Sequence, residues 1–169
     1  SSTTSQLALG DALAIATMKQ RKFNKKDFKK IHPAGSLGAQ LKTVEDIMLK
    51  DNAIPFVNEN LKIKDALKVL SKKKLGFLLV RDAKKLSRGF VSDGDIRRLT
   101  QKKQNLHNIS IKEIMTKNPI GIDKNALAAK ALSLMNSKKI TSLCVYEKKN
   151  KLKTIGVIHI HNILQSNIS

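Results

Sequence analysis

The chain has 169 residues, 41% of them apolar, which suffices for one ordinary domain or two small modules with a real core. Its longest apolar stretch, residues 7–18, is interrupted by Gly10 and Asp11 and is too short to cross a bilayer, so we expect no membrane partner. The formal charge of +20 admits either a nucleic-acid-binding surface or a general lysine bias. Only five of the 33 basic residues are Arg, and Trp is absent, which favours the bias and argues against a nucleic-acid partner.

A single cysteine, Cys144, excludes an internal disulfide and indicates a reducing compartment, so we expect a cytoplasmic protein. Cys144 lies in the apolar run "SLCVY", which favours a small buried residue over a nucleophile. The Ser/Thr-rich start shows no signal peptide. Because the first residue is not Met, we expect the chain to be part of a longer protein.

The first 42 residues stand apart from the rest of the chain. The segment "QLALGDALAIATM" has apolar residues nearly all the way round a helix, a pattern typical of a helix buried within a larger domain. We therefore expect residues 1–42 to be the helical tail of a domain whose body lies upstream.

Residues 44–166 contain the same pattern twice. "VEDIMLKDNAIPFV" is answered by "IKEIMTKNPIGI", and "KDALKVLSKKKLGFLLV" by "AKALSLMNSKKITSLCV". "GFVSDGDI" is answered by "GVIHIHNI", with Gly89 and Gly156 67 residues apart. A repeat of this length exceeds a solenoid unit, so the sequence predicts two copies of one small module, over residues 43–105 and 106–169.

Each copy alternates extended and helical patterns. An extended segment after the Ile-Met pair precedes a helix, which has apolar residues at helical spacing in both copies: Ile63, Ala66, Leu67 and Leu70, then Leu127, Ala131, Leu132 and Met135. Two strands and a closing helix follow. The sequence predicts an α/β (α+β) fold of two β-α-β-β-α modules, packed sheet against sheet or helix against helix.

The acidic turn of the first copy has two interpretations. Ser92 lies three residues before Asp95, the spacing of a capping box, in which each side chain bonds the other residue's backbone. A helix N-terminus with free N–H groups also favours an anion. Arg97 and Arg98 are close enough in sequence to neutralise phosphate if they face a cleft. The two roles are compatible.

The second copy replaces Ser92 by His159 and Asp95 by Asn162. Asn162 can still bond hydroxyls but has no charge, and His159 cannot copy a small hydroxyl against a phosphate, so we expect two non-equivalent sites. His159 and His161 are two residues apart and are predicted to point to opposite sides of a strand or to diverge on a helix. No Cys or acidic cluster accompanies them, so we expect no metal site.

These residues resemble known families. The repeats resemble a CBS-domain pair, a cytosolic module that commonly binds adenine nucleotides in the cleft between its copies. The leading segment with "HPAGSLG", together with "SDGDIRR" and "HIHN", resembles the arabinose-5-phosphate isomerases, in which a sugar-isomerase (SIS) domain precedes one CBS pair.

The resemblance implies a site for each of these residues. It implies that Ser92 meets a phosphate, that Asp95 binds ribose hydroxyls, and that His159 and Asn162 face the second cleft. It implies AMP or ATP as regulatory ligand, or the pathway product CMP-Kdo, with no required cofactor. It also implies self-association as a homodimer or homotetramer. A ligand-free CBS scaffold for oligomerisation is the alternative.

The same resemblance implies an aldose–ketose isomerase as the parent enzyme. It would interconvert D-ribulose 5-phosphate and D-arabinose 5-phosphate for the synthesis of the lipopolysaccharide sugar Kdo. His32 matches the family's active-site histidine, and its imidazole suits proton transfer near neutral pH. From the residues alone, His32 before Pro33 is equally an extended loop residue. Because the family's phosphate loop and its other catalytic residues would precede Ser1, we expect this chain alone to be inactive.

Overall fold

The computed structural model describes residues 2–24, 27, 31, 39–102 and 108–168. The chain divides into two compact units, Ser1–Lys42 and Thr43–Ser169. His32 lies outside the described residues. In the first unit, helix α1 (Ser2–Gln20) has no buried residue, and its large apolar side chains are 44–70% exposed. Its burial within a larger domain therefore stays a prediction.

The second unit contains the two copies. The first copy consists of helix α2 (Val44–Ile47), strand β1 (Leu49–Lys50), a 3₁₀ turn (Asp51–Ala53), β2 (Phe56–Asn58), α3 (Ile63–Lys73), β3 (Phe77–Arg81), β4 (Ser87–Ser92) and α4 (Asp93–Lys102). The second copy consists of a 3₁₀ turn (Ile111–Glu113), β5 (Thr116–Lys117), β6 (Gly121–Asp123), α5 (Ala128–Lys138), β7 (Ser142–Tyr146), β8 (Gly156–His159) and α6 (Ile160–Gln165). The α/β architecture of two β-α-β-β-α modules is confirmed.

The long helices of the two copies follow their apolar spacing and end in the same way. Both stop at a lysine in the left-handed conformation, Lys74 or Lys139, each with φ 54°. The prediction that Leu127 lies on the buried helical face was wrong. Leu127 precedes the helix as its N-cap and is 42% exposed, because α5 begins at Ala128 and that residue takes the buried position.

The copies exchange their first strands. One sheet has the order β2-β3-β4-β5 and the other β1-β8-β7-β6. Strand β1 of the first copy is therefore antiparallel to β8 of the second, and β5 of the second is antiparallel to β4 of the first. The backbone hydrogen bonds of each edge strand are satisfied by the other copy.

A methionine and a glycine meet at each exchanged strand. A Cβ added to Gly89 would lie 2.6 Å from Sδ and 2.9 Å from Cβ of Met115. A Cβ added to Gly156 would collide in the same way with Met48 and lie 3.0 Å from the Leu49 carbonyl oxygen. The glycine leaves space for the methionine of the other copy's Ile-Met pair.

Three apolar clusters hold the second unit together. Two lie within the copies, between each sheet and its helices. The third joins the sheets and takes Phe77 and Leu79 from one, and Cys144 and Val157 from the other. Of the two packings that the sequence allowed, the sheets therefore pack against each other.

Two further sequence expectations concern Cys144 and the membrane. Cys144 is buried as predicted, and burial raises the pKa of its thiol to about 12, so the thiolate is scarce at neutral pH. Across the part of the chain that the structure describes, no helix combines the length and the apolar character needed to span a membrane.

The contact of Gly89 with Met115 predicts that Gly89→Ala destabilises the second unit by about 1–3 kcal/mol, because the added methyl overpacks a closed strand exchange. Chemical denaturation monitored by circular dichroism measures this change. Shortening the partner in the double variant Gly89→Ala/Met115→Ala should cost less than the sum of the two single changes.

Gly10→Ala is the matched control for this test. Gly10 lies in α1 with nothing within 4 Å of an added Cβ, so the unfolding of the second unit should not change. Equal unfolding midpoints for Gly89→Ala and the wild type would contradict the proposed packing.

Candidate functional site

Ser92 and Asp95 form the expected capping box where β4 runs into α4. The Ser92 backbone N–H and hydroxyl both donate to Asp95 Oδ2, at 2.8 and 2.7 Å, and the Asp95 N–H donates to the Ser92 hydroxyl oxygen at 3.2 Å. Arg98, one turn further along α4, donates to Asp95 Oδ1 and forms an ion pair with it. The capping interpretation is confirmed by these contacts.

The Asp95 carboxylate is ionised at neutral pH. Burial acts to raise the pKa of Asp95, but the hydrogen bonds from Ser92 and from Arg98 outweigh it and hold the pKa below its usual value. The chain therefore keeps a fixed negative charge at this position, flanked by a guanidinium.

These three residues line a cleft that both copies build. The cleft has a volume of about 390 Å³, and we call it the first cleft. The first copy contributes Phe90, Ser92, Asp95 and Arg98. The second copy contributes residues 116 and 118–120 around β5 and residues 139–142 at the start of β7. Arg97 is exposed and is not among the lining residues.

Ser142 brings an unused hydroxyl to the first cleft. The residue is 6% exposed, and its buried Oγ has no hydrogen-bond partner among the described residues. A buried hydroxyl without a partner is costly, and a polar group entering the cleft could satisfy it. No feature of the sequence around Ser142 indicated this.

A second cleft, of about 610 Å³, lies at the equivalent position of the other half. Its lining includes His159, His161, Asn162 and Gln165, which correspond to Ser92, Gly94, Asp95 and Arg98 of the first cleft, each 67 residues earlier. The second cleft has thus lost both members of the Asp–Arg pair. Lys74 and Asp93 carry the charges in its lining.

His159 caps its helix in place of a serine. Its Nδ1 accepts from the His161 N–H at 3.2 Å, and its own N–H donates to Asn162 Oδ1 at 3.1 Å. The prediction that the two imidazoles point apart was wrong, because their ring centroids are only 4.8 Å apart. His159 ends strand β8 and His161 lies in the first turn of α6, so the change of backbone direction brings the rings together.

The two clefts share a wall of aromatic rings. The Phe77 ring lies parallel to Phe90 of the first cleft at 5.0 Å and to His159 of the second at 6.4 Å. Burial, and then the neighbouring His161, lower the pKa of His159. Among the described residues, His, Cys, Asp and Glu side chains nowhere form a group of three that could hold a metal ion.

Two tandem modules that exchange strands and enclose paired clefts define a duplicated ligand-binding pair. The CBS-domain family model matches residues 44–102 and 111–168, and the chain belongs to this family. The crystal structure of CBSX2 in complex with AMP is similar with a TM-score of 0.65 and 26% identity, over 74% of this chain and 95% of CBSX2.

Curated relatives extend the similarity beyond the CBS pair. Arabinose 5-phosphate isomerase KdsD of Yersinia pestis is 38% identical over 168 residues, which cover 99% of this chain and 50% of the relative. KdsD of Francisella tularensis is 40% identical over 166 residues, 98% of this chain and 50% of the relative. The chain spans about half the length of these relatives.

The lowered pKa of His159 predicts a pH-dependent stability. A folded-state pKa below the unfolded value means that the unfolded chain binds more protons, so the stabilising contribution is complete above pH 6.5 and is lost as pH falls through that value. NMR titration of the imidazole protons should give His159 a pKa below 6.5.

His159→Ser restores the residue of the first copy and should flatten the fall in unfolding midpoint between about pH 7.5 and 5. The same variant assigns the His159 resonances. Parallel pH profiles for variant and wild type, or a His159 titration above pH 6.5, would contradict this effect of burial.

Proposed function

We propose that this chain is the regulatory part of a D-arabinose-5-phosphate isomerase, with ligand binding in the CBS clefts as its signal. The observation that carries the proposal is the 38–40% identity to KdsD isomerases over 98–99% of the chain, including the residues before the CBS pair. The isomerase interconverts D-ribulose 5-phosphate and D-arabinose 5-phosphate. Such a protein would serve lipopolysaccharide synthesis in the cytoplasm, and its CBS pairs would help to assemble a homotetramer.

Residues 1–42 are proposed to belong to the SIS domain of this isomerase, followed by CBS modules over residues 43–105 and 106–169. Within the SIS segment, His32 is proposed as a catalytic acid or base, because imidazole exchanges protons near neutral pH. The remaining catalytic groups would come from the half of the relatives that this chain does not span.

The first cleft is proposed to bind an adenine nucleotide. Its fixed Asp95 carboxylate can accept hydrogen bonds from ribose hydroxyls, while Arg98 and the Ser92 hydroxyl can donate to a phosphate. Phe90 supplies an apolar wall for a base, and the unpartnered Ser142 hydroxyl can bond a polar ligand group. The AMP complex of CBSX2, 26% identical, supports this choice of ligand class.

The second cleft is proposed to take a different ligand. Without a carboxylate at position 162 or a guanidinium at position 165, it lacks the charged pair of the first cleft. His159, Asn162 and Lys74 offer neutral and cationic hydrogen-bonding groups instead. A sugar nucleotide such as the end product CMP-Kdo is the proposed occupant, because feedback by the product would give a regulatory pair its purpose.

Asp95→Asn should weaken AMP binding about 10–100-fold, because a charged acceptor of ribose hydroxyls becomes a neutral one. Asparagine still caps a helix, as Asn162 does in the second copy, so the variant separates the ligand role from the capping role. Isothermal titration calorimetry with AMP, ATP and CMP-Kdo measures the change.

Asp65→Asn is the charge-matched control. Asp65 is exposed, pairs with Lys68 on α3 and lines neither cleft, so AMP affinity should stay at the wild-type value. If the wild-type chain binds none of the three nucleotides, the regulatory proposal fails and the ligand-free scaffold is favoured.

The isolated 169-residue chain should not turn over arabinose 5-phosphate above a His32→Ala background, because one histidine supplies only about 10²–10⁴ of the required rate enhancement. A coupled assay for ribulose 5-phosphate tests this. Turnover that depends on His32 would show that the 169 residues contain a complete active site.

A further inference from the structure

A third cavity lies outside both clefts and shares no lining residue with them. It has a volume of about 600 Å³, and we call it the basic groove. It lies between the turn after β1, the end of β3 and the segment before β8. The residues that matter are Asp51, Asn52, Phe56, Lys73, Arg81 and Lys153.

The cations of the basic groove are held by uncharged partners. The Arg81 guanidinium lies over the Phe56 ring, 4.7 Å from its centroid, and Lys73 Nζ donates to the Asn52 carbonyl oxygen. Both residues are half-buried, and neither has a carboxylate partner within 4.0 Å in the described part of the chain. Three cations against one carboxylate, Asp51, leave a net charge of +2 in the lining. Desolvated positive charge without a counter-charge is unfavourable, and a bound anion would offset it.

The repeat shows that this charge is not required by the fold. Tyr146 stands where the first copy has Arg81, and Gly121 stands where it has Phe56, each 65 residues later. The Tyr146 ring occupies the space beside Gly121, since a Cβ there would lie 2.9 Å from it. At the position of Lys153, 67 residues earlier, the first copy has Leu86. The same architecture therefore forms with an aromatic and an aliphatic residue, and the general lysine bias does not explain an arginine at position 81.

We propose that the basic groove binds the phosphate of a small phosphate monoester that carries hydroxyl groups. The planar Arg81 fork, oriented by Phe56, can donate two parallel hydrogen bonds to phosphate oxygens, and Lys73 and Lys153 add charge. Asp51 would repel a second phosphate but can accept from a hydroxyl, which selects a hydroxylated monoester over a polyphosphate. The volume is that of a small-metabolite site.

The test is a ¹⁵N–¹H NMR titration of the full chain with glycerol 3-phosphate at constant ionic strength. Saturable shifts are expected for the amides of Thr154 and Ile155 and for Arg81 Nε–H, all in the groove. Arg81→Tyr, which installs the residue of the second copy, should reduce affinity about tenfold or more. Lys130→Tyr, an exposed site on α5 outside the groove, removes the same charge and should leave affinity unchanged.

Three further arms make the result decisive. Glycerol alone should produce no shifts, and inorganic phosphate should bind more weakly than the monoester. Saturation of the first cleft with AMP should leave groove binding intact, so failure of nucleotide binding and failure of this proposal are distinguishable. If Arg81→Tyr does not fold, the exposed Lys153→Leu replaces it.

Non-saturating shifts spread over lysines of the whole surface would overturn the proposal, as would equal affinities for Arg81→Tyr and Lys130→Tyr. Inorganic phosphate binding as tightly as the monoester would overturn the choice of ligand.

Discussion

The exchange of first strands is the constraint on which the rest of the second unit depends. Strands β1 and β5 have two residues each and find their hydrogen-bond partners only in the other copy's sheet. The glycine that faces each of them, Gly89 or Gly156, lets a methionine of the other copy approach closely. Because neither sheet is complete alone, the copies form one folding unit, and residues of both copies line the first cleft.

The same arrangement places the clefts on either side of a thin wall. Ser92 lines the first cleft and its neighbour Asp93 the second, while Ser142 of the first cleft pairs across the β7–β8 ladder with His159 of the second. The Phe77 ring fills the space between them. Interiors this closely packed transmit displacement, so an occupant that moves Phe90 would press on His159 through Phe77. The wall gives ligand binding in one cleft a physical route to the other.

The sequence predicted the parts of this fold that carry a long periodic signal. The helices α3 and α5 and the paired strands after them follow apolar spacing, and the Ser92–Asp95 capping box follows from residue types at fixed separation. The strand exchange was not predictable, because two residues are too few for an alternating pattern. The approach of His159 and His161 was missed because rules for a strand or a helix do not apply where one turns into the other. The basic groove joins residues 51–56, 73, 81 and 153–155, which only tertiary structure brings together.

The capping box does not exclude a nucleotide, because its contacts differ in strength. Asp95 Oδ2 is held by two groups of Ser92 within the helix start, while Oδ1 is held by Arg98, whose side chain is 64% exposed. An exposed ion pair contributes little to stability, about 0–1 kcal/mol, so it is easily exchanged. A ribose hydroxyl that takes Oδ1 would release the Arg98 guanidinium to a phosphate in the same cleft. The cap would persist through Oδ2, and the helix N-terminus would keep its orientation toward the ligand. In the second cleft Asn162 and Gln165 form no such pair, so only the first cleft can exchange an internal ion pair for contacts with a nucleotide.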